Sequence, residues 1–168
     1  MDLSAPLAAA PATPVALRFH PLPAAALDRV RGTGHDALDR PAERLCAEGG
    51  EPLRCCLRDA VPGEGLLLFG FAPPLPESPY REVGAVFAHA APCPRPADPA
   101  AYPGDWRGRP QVLRAYDGRG RIHEATRVHD GRDPEAALAA LLALPAVALV
   151  HSRNVAWGCC WMFAVTRG

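Results

Sequence analysis

Residues 53–59 read LRCCLRD. Leu53, Cys55 and Leu57 take one side of an alternating pattern, and Arg54, Cys56 and Arg58 take the other. That is the period of a half-buried β-strand. Pro62-Gly63-Glu64-Gly65 is turn chemistry, and Leu66 to Phe71 is apolar on both faces, as a central strand is. The two runs predict a first antiparallel hairpin, and with it a chain built mainly from sheet.

The pattern continues outward. Val112–Tyr116 and Arg121–Val128 flank Asp117-Gly118-Arg119-Gly120 and predict a second hairpin. Further strands are expected at 15–19, 83–90, 146–151 and 159–166, with Ala85, Phe87 and His89 sharing a face. A short helix is expected at 24–30, stopped by Gly32 and Gly34. The principal helix is expected at about 134–144: Asp133 is the N-cap, Pro134 the first helical residue, and Leu138, Leu141 and Leu142 form one face. Residues 31–52 read as irregular with a helical turn at 41–47, and 91–111 as a long proline-rich loop with a turn of helix. The expected fold class is α+β, a mainly antiparallel sheet of about seven to eight strands with one principal helix packed on it.

Composition narrows the function classes. The chain has 168 residues, 49% hydrophobic and 21% charged, which is a globular balance. Eighteen basic residues, all arginine, match eighteen acidic ones, so the net charge is zero. A general nucleic-acid binder needs a basic surplus, and no nucleic-acid partner is expected. The absence of lysine excludes a P-loop and Schiff-base chemistry. No apolar run reaches the roughly 18–20 residues of a membrane span, so no membrane partner is expected either. The first basic residue is Arg18, too late for a secretory leader. Residues 1–14 therefore read as a flexible Ala/Pro-rich tail, 15–168 as a single globular domain, and the location as cytoplasmic. The six cysteines include two vicinal pairs, which do not bond each other easily in strands, and reduced thiols are expected.

Chemistry is concentrated in HSRNVAWGCCW, residues 151–161. The simplest reading is strand–turn–strand. Arg153 and Asn154 then lie in an exposed turn, and Cys159 shares a core face with Trp161 and Phe163. The catalytic alternative makes Cys159 a nucleophile with His151 as its base. Arg54, Arg114 and Arg153, with Asn154 and His89, are the candidate ligand-binding residues, because converging guanidinium groups bind a carboxylate or phosphate through paired hydrogen bonds. His89 and Cys93 are four apart, and His151 and Cys159 could complete a metal set, but the spacing fits neither a zinc finger nor a ribbon. No metal and no cofactor is therefore expected.

Four stretches resemble a known family. They are PLRCCLRDAVPGE (52–64), SPYREVGAVF (78–87), LRAYD (113–117) and HSRNVAWGC (151–159). In order and spacing they are similar to the bacterial domain of unknown function 1203 family, across about residues 15–167. Ala85 stands where that family usually has proline, and Trp157 where proline is common. The resemblance implies a bacterial, single-domain, cytosolic protein whose motifs belong to one architecture, and it implies no activity. The function expected is binding of a small anionic ligand at a cleft near the 151–159 turn. The alternatives are an enzyme using Cys159 and His151, or an interaction domain that pairs through a sheet edge.

Overall fold

The computed structural model describes residues 15–156 and 160–168. In chain order the elements are β1 (Leu17–His20), α1 (Ala24–Thr33), β2 (Glu43–Cys46), β3 (Pro52–Leu53), β4 (Arg58–Asp59), β5 (Gly65–Phe71), β6 (Gly84–His89), a 3-10 turn (Gly104–Trp106), β7 (Gln111–Tyr116), β8 (Arg127–His129), α2 (Pro134–Leu142), β9 (Leu149–Asn154) and β10 (Trp161–Arg167). The fold is α+β and mostly antiparallel. The strands form two five-stranded sheets, β1-β10-β9-β7-β8 and β2-β5-β6-β3-β4, where the sequence led us to expect one sheet. The β3–β6 pairing, Leu53 opposite Phe87, is parallel.

The difference begins at LRCCLRD. It is not one strand but β3, a four-residue turn and β4. The Leu57 N–H donates to the Leu53 carbonyl at 2.9 Å, and Leu57 has φ 55°. Leu53 and Leu57 are two steps of a period-2 pattern, but they are also one helical turn apart, and a run this short satisfies both periods. β5 therefore pairs with β2 and β6, not with residues 53–59. β2 lies in the stretch read as irregular with a helical turn. All four of its residues are exposed, so it shows no buried alternation to detect. The second hairpin is present as β7–β8, although β8 is only three residues long and Ile122 adds a single bridge to Tyr116. α2 starts as expected, with the Asp133 carboxylate accepting from the Ala136 N–H.

β9 runs three residues further than expected. Arg153 is thus a strand residue with 1% exposure, not part of an exposed turn. In β10 the pairing with β9 shifts register between Trp161 and Phe163. Such a bulge breaks the alternation. Trp161 consequently packs with Leu53, Phe71 and Val86 in the core shared by the two sheets, while Phe163 packs in the core under α2 with Leu138 and Leu141. The expectation that the two aromatics share a face fails at this bulge. Phe163 is ringed by Phe19 at 5.5 Å, Tyr102 at 5.7 Å and Trp106, stacked on it at 5.9 Å. Among the described residues no helix is long and apolar enough to cross a membrane.

Phe163 is fully buried, and its removal would leave a cavity among Phe19, Tyr102, Trp106 and the leucines of α2. Phe163→Ala should lower unfolding free energy by about 3–5 kcal/mol, read from urea denaturation. A loss below about 1 kcal/mol, the range of surface changes, would mean the second core is not organised around this ring.

Candidate functional site

The turn that interrupts LRCCLRD sends consecutive side chains to different places. Leu57 enters the core under α2, Cys55 and Cys56 face His89, and Arg54 points inward between the sheets. Arg54 is 1% exposed. Its Nε donates to the Trp161 carbonyl at 2.8 Å and its Nη1 to the Pro52 carbonyl at 2.5 Å, and it also hydrogen-bonds the Cys160 thiol. Burial pulls its pKa down to about 10, so it remains charged at neutral pH. Among the described residues no carboxylate pairs with it. The two carbonyl dipoles take N–H donors but supply no negative charge to match the guanidinium, a costly arrangement in a protein interior.

Arg54 forms part of the wall of a cleft of about 720 Å³. Leu68, Ala85 and Phe87 supply apolar surface, and Asn154 and Cys160 supply polar groups. Arg109, also on the wall, is held in a two-bonded ion pair with Asp59. The Asn154 side chain caps the β9 end, its Oδ1 accepting from the Ala156 N–H at 2.9 Å. Of the candidate ligand-binding residues, Arg54 and Asn154 meet here.

Arg114, Arg153 and His151 gather elsewhere, on one face of the first sheet. Arg114 Nη1 lies 3.3 Å from Glu82 Oε1, and Arg153 Nη1 donates to the same oxygen. Glu82 comes from the SPYRE stretch, and its carboxylate already fills the place an anionic ligand would take. His151 donates from Nε2 to the Pro74 carbonyl at 3.2 Å and meets Tyr116 edge-on at 4.9 Å. Burial, then the charges of Arg153 and Arg114, lower its pKa to about 4. The proposed partner Cys159 lies outside the described residues.

His89, the remaining candidate, sits in a cluster that spacing did not suggest. Cys55, Cys56, His89 and Cys93 place one ligand-type atom each within 4.8 Å of the others. Spacing in the sequence groups Cys93 with His89, whereas a strand pattern puts Cys55 and Cys56 on opposite faces. A bend that brings both thiols round to β6 is invisible to a strand pattern. His89 Nδ1 lies 3.6 Å from Cys55 Sγ and 3.7 Å from Cys56 Sγ. On the other side of the ring, Nε2 is 3.2 Å from Glu64 Oε1. Glu64 is clamped by both Arg58 Nη groups and by the Val61 N–H, and the Arg58 bonds hold its carboxyl down to about 2. Hydrogen bonding with Cys56, then burial, pushes the Cys55 thiol up to about 12.

Glu82→Gln leaves a buried guanidinium without its carboxylate and should cost about 2–4 kcal/mol in denaturant unfolding; an unchanged midpoint would show the pair to be dispensable. For His151 the folded pKa lies below the unfolded value. Its neutral form is favoured on folding, and that stability is present at neutral pH and lost as pH falls from about 6.5 toward 4. Between pH 7 and pH 5 the parent should lose about 2 kcal/mol more than a His151→Gln variant. Parallel losses in the two proteins would contradict the assignment.

Neither the curated proteins nor the solved structures contain a match to this chain. The model of the family described as protein of unknown function, DUF1203, matches residues 50–167, which takes in β3 through β10 and every site above, and the chain belongs to that family.

Proposed function

We propose that the protein binds a small molecule carrying a carboxylate or phosphate in the cleft walled by Arg54. One observation carries this reading: a guanidinium with 1% exposure and no carboxylate partner among the described residues stands beside a cleft of about 720 Å³. That volume falls in the range of small-molecule sites, which combine apolar walls with a few fixed polar groups. Leu68, Ala85 and Phe87 would cover the body of the ligand, and its anionic end would approach Arg54 and Asn154. The zero net charge does not favour a nucleic acid.

A second reading has its own observation. Arg54 hydrogen-bonds the half-buried Cys160 thiol, and a neighbouring guanidinium lowers a thiol pKa. Cys160 ionised would then be the missing counter-ion, and the cleft would be a thiol site using Cys160 in place of the Cys159–His151 pair.

The experiment is calorimetric titration of the full chain with inorganic phosphate, succinate, citrate and a nucleoside monophosphate. At least one should bind saturably, weakened tenfold or more (about 1.4 kcal/mol) in Arg54→Met and unchanged in Arg114→Gln. If none binds while Cys160 is alkylated half-maximally well below the usual thiol pKa of about 8.5, the thiol reading replaces the anion reading.

A further inference from the structure

We propose that Cys55, Cys56, His89 and Cys93 form a four-ligand zinc site that ties the β3–β4 turn to the end of β6. With Zn–S bonds of about 2.3 Å and Zn–N bonds of about 2.0–2.1 Å, a tetrahedron has S···S edges of about 3.8 Å and S···N edges of about 3.6 Å. The Cys55–Cys56 sulfur separation is 3.9 Å, and the two S···Nδ1 separations are 3.6 and 3.7 Å. Three of the six edges therefore stand at tetrahedral length. The Cys93–Cys55 separation is 3.2 Å, and a metal ion would open it by about 0.6 Å.

The surroundings are those of a metal centre. His89 Nε2 lies 3.2 Å from Glu64 Oε1 and 3.1 Å from Arg58 Nη2; in the tautomer that donates to Glu64 the Nδ1 lone pair faces the sulfurs, and a carboxylate behind a ligand imidazole is the usual outer-shell arrangement. The His89 backbone N–H donates to Cys55 Sγ at 3.4 Å, and the Arg58 backbone N–H reaches Cys56 Sγ. Arg31 donates to the His89 and Ala91 carbonyls at 3.0 and 2.6 Å and reaches the Cys93 thiol, fixing the segment that carries the last ligand. Zinc with three thiolates and one imidazole carries a net charge of −1. Arg31 and Arg58 stand beside the cluster, and Asp28 and Glu64 pair with them. Four protein ligands leave no open position, which marks a structural rather than a catalytic ion. The site does not depend on a ligand in the Arg54 cleft.

The test uses the untagged full chain, reduced, exposed to zinc and gel-filtered, with metal measured by plasma mass spectrometry. About one equivalent of zinc is expected. Cys56→Ser and Cys93→Ser should each lose most of it, and Cys46→Ser, exposed on β2, should keep it. Because a cluster variant could unfold, the parent is also titrated with Co²⁺. Tetrahedral d–d bands with thiolate charge transfer, displaced by zinc, are expected. The proposal is overturned by less than about 0.2 equivalents of zinc in the parent, by an octahedral cobalt spectrum, or by a Cys55–Cys93 disulfide in anaerobically purified protein.

Discussion

The Arg54 guanidinium is the point on which the two sheets and the cleft jointly depend. It belongs to the turn after β3 in one sheet and donates to the Trp161 carbonyl of β10 in the other, 107 residues away. Few single side chains can bridge two sheets this way. Arginine can, because its fork of fixed donors reaches carbonyls in different directions. The bonds are strong, but they match dipoles and not charge. A group that holds the fold together therefore also carries an unmatched positive charge into the wall of a cleft. Stability and ligand affinity are drawn from the same atom group, and the two roles are separable only because the charge survives burial, with a pKa of about 10.

The turn around Arg54 explains why the chemistry lies where it does. Leu57, at φ 55°, is the residue that reverses the chain and then plugs the core under α2. That reversal brings Cys55 and Cys56 over the end of β6, beside His89, and leaves Arg54 facing β10. Phe87 and His89 follow each other along one face of β6, the first on the cleft and the second in the thiol cluster. The anion seat and the proposed zinc site are thus neighbours built from the same two segments. A metal bound at the cluster would stiffen the turn that aims Arg54.

Much of the architecture was legible in the residues. The β7–β8 hairpin announced itself through Asp117-Gly118-Arg119-Gly120, and α2 through Asp133-Pro134-Glu135, because turn and cap chemistry act locally. The division into two sheets was not legible, since LRCCLRD satisfies a strand period and a helical step together. β2 carried no signal because it buries nothing. For the site, the residue types were visible but their grouping was not. Arg114 and Arg153 look like ligand anchors until the Glu82 carboxylate is seen between them, 32 and 71 positions away in the chain. The cysteine cluster required knowing that vicinal thiols sit on a bend, where neighbours need not face opposite ways.

The central claim is that Arg54 remains charged, lacks a carboxylate partner among the described residues and faces a ligand. Side-chain ¹⁵N NMR of the arginines, followed as phosphate and then a dicarboxylate are titrated, addresses it most directly. The Arg54 Nε and Nη resonances should be those of a charged guanidinium throughout and should move saturably with at least one anion, while Arg114 and Arg153 stay fixed on Glu82. Arg54 resonances that remain still at saturating concentrations of both, with Arg114 or Arg153 responding in their place, would contradict the account.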